Sequence, residues 1–486
     1  MPAPSAPAPL PQPTEAPYPS PRYSWYVVGV LTLVYVFSFI DRQILSLLVR
    51  PLRRDLQISD TEVSILMGFS FAVFYTFCGI PLGRLADTRS RRSIIAAGLV
   101  FWSAFTGLCG LARNFAQMLL FRVGVGVGEA ALSPSAYSLI TDYFPKEKLG
   151  TAISVYSMGI YIGAGMSYLL GGIVVRFASA QEAWILPLVG AVRPWQVIFL
   201  AVGLPGILVA PLVYSIREPL RRGIARQASP APASAAPASH AFAYMLENKR
   251  TLLCHTFGFG LLSLTSYASG AWIPEFFRRN YHWDIPHTGI VYGSLVIIFG
   301  SIGIVGAGKI ADLLRARGIL QANMLVGMWV ALIGIPVSCL LYLAPSSGWA
   351  TLWLAPGCIV AAAPFGIAAA AIQQMMPNPM RGQASAVYLF IINMIGLGLG
   401  PTAVAVCTQY LFRRDDAVNY SLLVVHLAAL SLAAILLGSG LKPFLRSLER
   451  LNRWTVGQAI LPEAGIRAGL HQTGLKAGCS QDCLPH

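Results

Sequence analysis

Long apolar segments alternate with short polar ones along almost the whole chain. Each apolar segment is close to the ~20 residues that an α-helix needs to cross a lipid bilayer. The pattern therefore predicts an all-α membrane protein with twelve transmembrane helices. The expected spans are 23–49, 62–84, 93–112, 116–142, 149–175, 194–216, 251–277, 288–311, 321–344, 351–376, 382–410 and 418–441.

The spacing of these segments also predicts the domain organisation. We expect a disordered lead at 1–22, a six-helix bundle at 23–216, a linker at 217–250, a second six-helix bundle at 251–443 and a tail at 444–486. The linker is rich in Pro, Ala and Ser, a composition typical of flexible connections. The tail repeats Leu among Arg residues, which is typical of an interfacial helix, with a frayed tail as the alternative.

The two predicted bundles carry a weak internal repeat. When the first half is laid on the second, Gly68 falls on Gly293 and Gly83 falls on Gly308. Gly is abundant in this chain, so chance matches compete with a true repeat. Two six-helix pseudo-repeats with a site between them are typical of alternating-access transporters.

The composition excludes several other classes of protein. The chain is 55% hydrophobic and only 11% charged, whereas soluble proteins carry roughly a quarter charged residues. A soluble enzyme, a disordered protein and a nucleic-acid binder are therefore excluded. A membrane enzyme or receptor finds no support, because the sequence contains no His cluster, catalytic triad spacing or phosphate-binding loop. We expect no enzymatic activity, no cofactor and no metal site.

The positions of the basic residues predict the orientation in the membrane. Most of the 35 Lys and Arg residues lie in the loops on the side of the two termini, and such loops are cytoplasmic. The short loops and the Pro/Ala-rich ends are typical of a bacterial protein. We therefore expect a monomer in a bacterial inner membrane, with both termini in the cytoplasm.

Four charged residues lie well inside the predicted spans, all of them in the first half. They are Asp41 and Arg42 on the first span and Arg122 and Glu129 on the fourth. A charged side chain at the centre of a membrane helix costs about 2.5–3.5 kcal/mol, so four of them indicate a function. A static ion-pair network that fixes helix register is the alternative. We favour a switchable set in which Asp41 and Glu129 carry protons, while Arg42 and Arg122, with Glu129, contact an anionic substrate.

The predicted spans of the second half carry no charge at their centres. Their polar side chains are scattered, and we expect Tyr388 and Asn393 among them to contact the substrate. A charged wall facing a mostly apolar wall suits an amphiphile with an ionic head and a hydrocarbon tail. A carrier of small organic anions or drugs is the alternative.

The segment from Gly83 to Arg92 resembles the loop signature of the major facilitator superfamily, although Thr88 and Ser90 depart from that pattern. Its glycine permits close helix approach, and its charges can bond helix ends as a conformational latch. Loop arginines that only set the topology are the alternative. The expected latch residues are Gly83, Asp87, Arg91, Arg92, Gly308 and Asp312.

Three segments of the first half resemble the Spinster branch of that superfamily. They are 37–42 in the first span, 121–130 in the fourth span and 142–145 at its end. The branch contains carriers of sphingosine 1-phosphate and lysophospholipids. The resemblance implies that Asp41 and Glu129 are proton-sensitive and that the two arginines engage the headgroup or the acids. We therefore expect a proton-coupled transporter of lipid-like substrates.

Overall fold

A computed structural model describes residues 18–181, 183–186, 190–219, 238–377 and 381–473. Most of the expected lead, the central part of the linker and the end of the tail lie outside these ranges. The first half contains helices α1 (Pro21–Gln43), α2 (Val49–Leu56), α3 (Asp60–Ser64), α4 (Ser70–Thr88), α5 (Arg91–Cys109), α6 (Phe115–Glu129), α7 (Leu132–Tyr143), α8 (Lys146–Ala178) and α9 (Pro194–Tyr214). Strands β1 (Trp184–Leu186) and β2 (Gly190–Val192) form an antiparallel hairpin between α8 and α9.

The second half repeats the helical pattern. It contains α10 (Ala238–Glu247), α11 (Lys249–Tyr281), α12 (Ile285–Leu295), α13 (Ser301–Ala316), α14 (Ala322–Tyr342), α15 (Ser347–Ala362), α16 (Pro364–Met375), α17 (Arg381–Asn393), α18 (Gly400–Val406) and α19 (Val418–Thr473). Short turns of π-helix occupy Ile65–Phe69, Val296–Gly300, Met394–Leu399 and Cys407–Phe412.

These elements make the twelve predicted spans, because several helices continue directly into the next. The pairs α3–α4, α6–α7, α12–α13, α15–α16 and α17–α18 each form one span. Eleven of the twelve are long and apolar enough to cross a membrane. The twelfth, α11, has 33 residues and a more polar sequence that includes Glu275, Arg278 and Arg279 at its end.

The helices pack as two related bundles. In the first half α1 packs along α8 and α5 along α9; in the second, α11 packs along α17–α18 and α14 along α19. The repeated pair Gly68 and Gly293 has equivalent surroundings, since each of the two lies where one half meets the other. A Cβ on Gly68 would lie 2.2 Å from the carbonyl oxygen of Leu397, and one on Gly293 would lie 2.6 Å from that of Gly165. The predicted pseudo-repeat fold is confirmed.

We call the side of the molecule on which α1 begins the proximal side and the side on which α1 ends the distal side. On the proximal side the hydroxyl of Tyr23 donates to the carbonyl of Ser215, just after α9. On the distal side, helix starts are capped by short polar side chains. Asn114 accepts from the amide of Gln117 at the start of α6, and Asp284 accepts from the amide of His287 at the start of α12. Such caps satisfy backbone donors that the helix leaves free.

The three glycines of α6 allow this helix to pack closely on two neighbours. A Cβ on Gly124 would lie 2.1 Å from the ring of Phe105, and one on Gly128 would lie 2.8 Å from the backbone nitrogen of Trp102. Gly126 faces the opposite side of α6, where an added Cβ would lie 3.0 Å from the carbonyl oxygen of Phe71. Small residues at this spacing permit close helix approach in lipid. The packing fixes α6, and with it Arg122 and Glu129, against α5 and α4.

Two segments differ from the expected loops. Helix α10 lies inside 217–250, where the sequence predicts a flexible linker. It docks through the buried Tyr244, whose hydroxyl donates to the carbonyl of Met375. At the other end, α19 continues from the last span to Thr473, so the predicted tail is helical over this length. Its interfacial location stays a prediction.

Candidate functional site

Of the four charged residues inside the first-half spans, Arg42, in the last turn of α1, lies at the boundary between the two halves. A small cavity of about 10 Å³ opens beside Arg42. Its walls come from both halves: Arg42, Gln43, Ser46 and Met67 from the first, and Tyr267, Ala271, Leu397 and Pro401 from the second. A side chain at this boundary can contact a substrate held between the halves.

Arg42 and Glu129 form a buried ion pair between α1 and α6. One guanidinium nitrogen of Arg42 lies 2.6 Å from Oε2 of Glu129, and the hydroxyl of Ser38 donates to the same oxygen at 2.5 Å. Glu129 is only 1% exposed and Arg42 only 8%. Among the described residues, the second oxygen of Glu129 has no hydrogen-bond partner. The carboxylate can therefore accept a further proton or hydrogen bond without leaving Arg42.

Three aromatic rings surround the Arg42 guanidinium. Its central carbon lies 4.3 Å from the ring centroid of Phe71, 4.7 Å from that of Phe39 and 5.4 Å from that of Tyr75. Aromatic faces attract a desolvated cation by about 2 kcal/mol. The rings thus stabilise Arg42 in the membrane without supplying a negative charge that would compete with an anionic ligand.

Asp41 and Arg122 are buried but do not form an ion pair. Arg122 donates instead to two backbone carbonyls, those of Leu66 and Asp41, each at 3.3 Å. Within the described part of the chain, neither carboxylate oxygen of Asp41 has a hydrogen-bond partner. The four charged residues are therefore arranged as one pair and two separate groups. Arg122 is fully buried behind Phe71 rather than beside the cavity.

The second-half residues expected to bind substrate lie apart from this pair. Tyr388 is buried with its ring 5.2 Å from that of His255. Asn393 is half-buried where α17 meets the π-helical turn. No hydrogen bond between described residues joins either of them to Arg42 or Glu129. Tyr267 of α11 does face Arg42 across the cavity. No pattern in the sequence distinguishes it from the other tyrosines of the second half.

The expected latch residues Arg91 and Arg92 bond within the first half. Arg91 is only 1% exposed and pairs with Asp142 at 2.5 Å and with Glu218 at 2.8 Å. The side chain of Arg92 donates to the carbonyl of Ile216 at 3.0 Å. These bonds join the start of α5 to the end of α7 and the segment after α9. Their role as a latch stays a prediction.

The other latch residues make no comparable contact between described atoms. A Cβ added to Gly83 would lie 3.8 Å from the Cβ of Pro134, an ordinary contact within the first half. The side chain of Asp87 falls outside the described residues. In the second half, Gly308 has no neighbour within 4 Å of an added Cβ, and Asp312 is exposed with no bond to a described residue. The latch residues with described bonds, Arg91 and Arg92, therefore join elements within the first half.

We expect Arg91→Ala to lower the free energy of unfolding by about 3–5 kcal/mol, because it removes the buried cation that pairs with the carboxylates of Asp142 and Glu218. Thermal unfolding of the detergent-purified protein measures the effect. Arg91→Lys is the matched control, since a lysine keeps the charge but cannot bond both carboxylates, and should lose only part of the stability. An unchanged melting temperature for Arg91→Ala would contradict this role.

The pKa of Glu218 adds a pH dependence to the same cluster. Burial favours its neutral form, but the hydrogen bonds from Arg91 and from the amide of Arg92 outweigh burial and hold its pKa below the ordinary value. A carboxylate with a lowered pKa stabilises the folded state above its unfolded pKa, and that contribution is lost as the pH falls through the folded value. The difference in stability between wild type and Arg91→Ala should therefore shrink below about pH 4.

A second charged cluster, which the sequence analysis missed, joins the halves on the distal side. Arg279 of α11 pairs with Asp60 of α3 at 2.8 Å, and Arg53 of α2 pairs with Asp415 at 2.7 Å. Arg279 also binds Glu275 at 2.6 Å. These are the two ion pairs that cross between the halves among described residues. No local pattern distinguishes these residues from ordinary loop charges, because their partners across the boundary are more than two hundred positions away.

Close helix packing reinforces this distal contact. A Cβ on Gly289 of α12 would lie 2.3 Å from the carbonyl oxygen of Tyr168, and one on Gly172 of α8 would lie 3.1 Å from that of Pro286. The hydroxyl of Tyr168 also donates to the carbonyl of Gly270 across the boundary. The structure therefore represents a state in which the two halves are closed together on the distal side.

Gly293→Leu is expected to open the distal side, because even a Cβ at this position would lie 2.6 Å from the carbonyl oxygen of Gly165. Overpacking of this kind costs about 1–3 kcal/mol, which the protein avoids by separating α8 from α12. Pulsed spin-label distances between the distal loops of the two halves should lengthen. Gly306→Leu, in the same span but with no neighbour within 4 Å, should leave them unchanged. If the distances between the distal loops were the same in Gly293→Leu and Gly306→Leu, the proposed packing would be contradicted.

The sequence matches the family model described as Major Facilitator Superfamily over residues 31–401. An MFS-type efflux pump of Mycolicibacterium smegmatis is 27% identical over 391 residues, which cover 80% of this chain and 86% of the pump. A probable L-galactonate transporter of Escherichia coli is 27% identical over 60% of this chain and 62% of its own length. The sphingosine-1-phosphate transporter of Danio rerio is 23% identical over 57% of this chain and 54% of its own length.

The fold is similar to a crystal structure of a bacterial homolog of the human lysosomal transporter Spinster, in an inward-facing and unoccupied conformation. The two share a TM-score of 0.69 and 25% sequence identity, and the match covers 90% of this chain and 99% of the other. The Protein spinster of Drosophila melanogaster is 24% identical over 58% of this chain and 43% of its own length. The resemblance to Spinster that the first-half motifs predict is confirmed by these matches.

Proposed function

Because this chain belongs to the major facilitator superfamily, we propose that it is a proton-coupled secondary transporter of amphiphilic anions that works by alternating access. The single observation that carries the proposal is the buried Arg42–Glu129 pair beside a cavity that both halves line. A buried ion pair at this boundary can be exchanged for a bond to substrate.

The exchange follows from the chemistry of the two side chains. An anionic headgroup that enters beside Arg42 competes with Glu129 for the guanidinium, which can bind either a phosphate or a carboxylate in a bidentate manner. Once Arg42 turns to the substrate, an ionised Glu129 is left buried and uncompensated, which is costly unless it takes up a proton. Substrate binding and protonation of Glu129 therefore support each other.

Asp41 supplies a second protonation site in this proposal. Its carboxylate is buried without a hydrogen-bond partner among the described residues, which suits the neutral form. Because it is adjacent to Arg42 on α1, any movement of α1 during opening and closing changes the surroundings of both groups. Proton release from Asp41 in one state and uptake in the other would couple the pH gradient to the movement of the halves.

The apolar wall of the cavity supports an amphiphilic substrate. Opposite Arg42 the second half contributes Ala271, Leu397 and Pro401, with Tyr267 as the polar exception. A hydrocarbon tail can lie along such a surface while its headgroup binds Arg42. The relative named as a sphingosine-1-phosphate transporter supports this substrate class, and lysophospholipids combine the same two features.

A carrier of small organic anions is the second candidate. It is favoured by the similarity to the probable L-galactonate transporter, because a sugar-acid carboxylate could bind Arg42 as well as a phosphate does. Such a substrate has many hydroxyl groups, and the apolar residues opposite Arg42 offer few partners for them. This argument favours the amphiphile.

Proteoliposomes distinguish these candidates. We expect a fluorescently labelled lysophospholipid to move across the membrane faster when a pH gradient is imposed, and labelled L-galactonate to remain at the rate of empty vesicles. Galactonate flux alone would support the organic-anion carrier. Lipid movement that ignores the pH gradient would contradict proton coupling. We also propose that the proximal side faces the cytoplasm, as the distribution of Lys and Arg predicts.

A further inference from the structure

Two side chains of α5, Trp102 and Thr106, face the buried carboxylate of Asp41. They lie one helical turn apart, so both point to the same side of α5. Each carries a hydrogen-bond donor, the indole N–H and the hydroxyl. Both residues are 0% exposed, and neither donor has a partner within the described part of the chain. Orphaned donors and an orphaned acceptor therefore share one buried region.

From this geometry we infer that Trp102 and Thr106 are positioning residues that bind the ionised form of Asp41. The inference rests on the proposed function, because it assigns residues that control the protonation of Asp41. The carboxyl has no bonded partner in this state, and a neutral carboxyl tolerates such a site far better than an ionised one. A small displacement of α1 toward α5 would bring both donors within bonding distance and stabilise the charge.

Helix α5 is packed closely on both sides, which favours a movement of α1 over a movement of α5. The backbone of Trp102 packs against Gly128 of α6, where an added Cβ would lie 2.8 Å away. Thr106 packs against Gly203 of α9, where an added Cβ would lie 2.8 Å from the Cβ of Thr106. Larger residues at these glycines would displace α5. Helix α5 is thus fixed between α6 and α9 with its donors aimed at α1.

Other charged and titratable groups also act on Asp41. From α6, Glu129 and Arg122 exert opposite electrostatic effects on its carboxyl, and Arg122 donates to its backbone carbonyl. From α5, the thiol of Cys109 lies within electrostatic reach of both Asp41 and Arg122. Arg122 stabilises the ionised form but makes no hydrogen bond to the carboxylate. Trp102 and Thr106 are the neutral donors that a conformational change can add or remove.

Infrared difference spectroscopy of the reconstituted protein tests the inference without a substrate. The C=O stretch of protonated Asp41 is identified as the band that Asp41→Asn removes, and it is titrated from about pH 5 to 9. We expect Thr106→Val to move its midpoint upward by about one pH unit, since the ionised form loses a donor. Trp102→Phe should do the same, and Thr106→Ser should restore the wild-type midpoint.

Ser103→Ala is the matched control. Ser103 is a buried hydroxyl on the same helix, but it faces Gly206 of α9, where an added Cβ would lie 2.1 Å from its oxygen. Its removal should leave the midpoint unchanged. Equal midpoints in wild type, Thr106→Val and Trp102→Phe would overturn the inference and leave the proposed function intact. If no band titrated and disappeared in Asp41→Asn, the proton-coupling role of Asp41 would fail, and the inference with it.

Discussion

Arg42→Ala is expected to reduce transport on the order of a hundredfold or more, the largest effect of any single substitution in the site. Arg42 pairs with Glu129 at 2.6 Å and lines the cavity between the halves. Truncating one partner of a buried, hydrogen-bonded charge pair costs about 2–5 kcal/mol. The variant loses both the group that binds the anionic head and the partner that neutralises Glu129. Uptake of a labelled lysophospholipid into proteoliposomes measures the loss.

A double variant separates binding from stability. Arg42→Ala leaves Glu129 buried and unpaired, so the melting temperature should fall together with transport. Adding Glu129→Gln removes that uncompensated charge and should restore most of the melting temperature. It should not restore transport, because the substrate still lacks its cation. Recovery of transport in the double variant would mean that Arg42 only neutralises Glu129, as the static ion-pair alternative holds.

Asp41→Asn is expected to abolish the effect of a pH gradient on transport while leaving exchange without a gradient within about threefold of wild type. The amide has nearly the same shape as a protonated carboxyl, but it cannot release a proton. Since Asp41 is fully buried and has no described hydrogen-bond partner, the substitution mimics its neutral form with little change in packing. Substrate accumulation with and without an imposed pH gradient measures the coupling.

Glu449→Gln is the control for this experiment. Glu449 is an exposed carboxylate on α19, so its neutralisation should leave pH-driven accumulation unchanged. Full pH-driven accumulation by Asp41→Asn would remove Asp41 from the coupling mechanism. Loss of exchange as well as coupling would point to a structural role for this carboxylate instead.

The spans could be predicted from the sequence because lipid imposes a strong constraint on composition and length. The expected segment 149–175 corresponds to α8, and 251–277 corresponds to α11. The π-helical turns could not be predicted, since one extra residue per turn leaves an apolar segment equally apolar. Three of them, Ile65–Phe69, Val296–Gly300 and Met394–Leu399, lie where the halves meet, and only the packing across that boundary reveals them.

The residues of the site could be predicted from the sequence, but the bonds between them could not. Charges within apolar segments point to Asp41, Arg42, Arg122 and Glu129 without any structure. That Glu129 binds Arg42, while Arg122 binds backbone carbonyls, depends on the rotation of α6. Glycine contacts with α5 and α4 set that rotation, and the sequence does not state which helix each glycine faces.

The charged cluster on the distal side could not be predicted from the sequence, for a different reason. Asp60 and Arg279 lie near helix ends, where charges are ordinary and inexpensive. Their importance follows from burial against the other half, since Asp60 is only 3% exposed. Long-range pairing of this kind depends on how the two bundles dock, and no local pattern around either residue encodes it.

Proton uptake on substrate binding tests the central claim most directly. A lightly buffered solution of the detergent-purified protein with a pH indicator is mixed with a lysophospholipid that carries a phosphate headgroup. We expect wild-type protein to take up protons as the headgroup displaces Glu129 from Arg42, and Glu129→Gln to bind the lipid with a smaller uptake. Saturating lipid binding without any proton uptake, or an equal uptake by both proteins, would contradict the exchange of partners at Arg42.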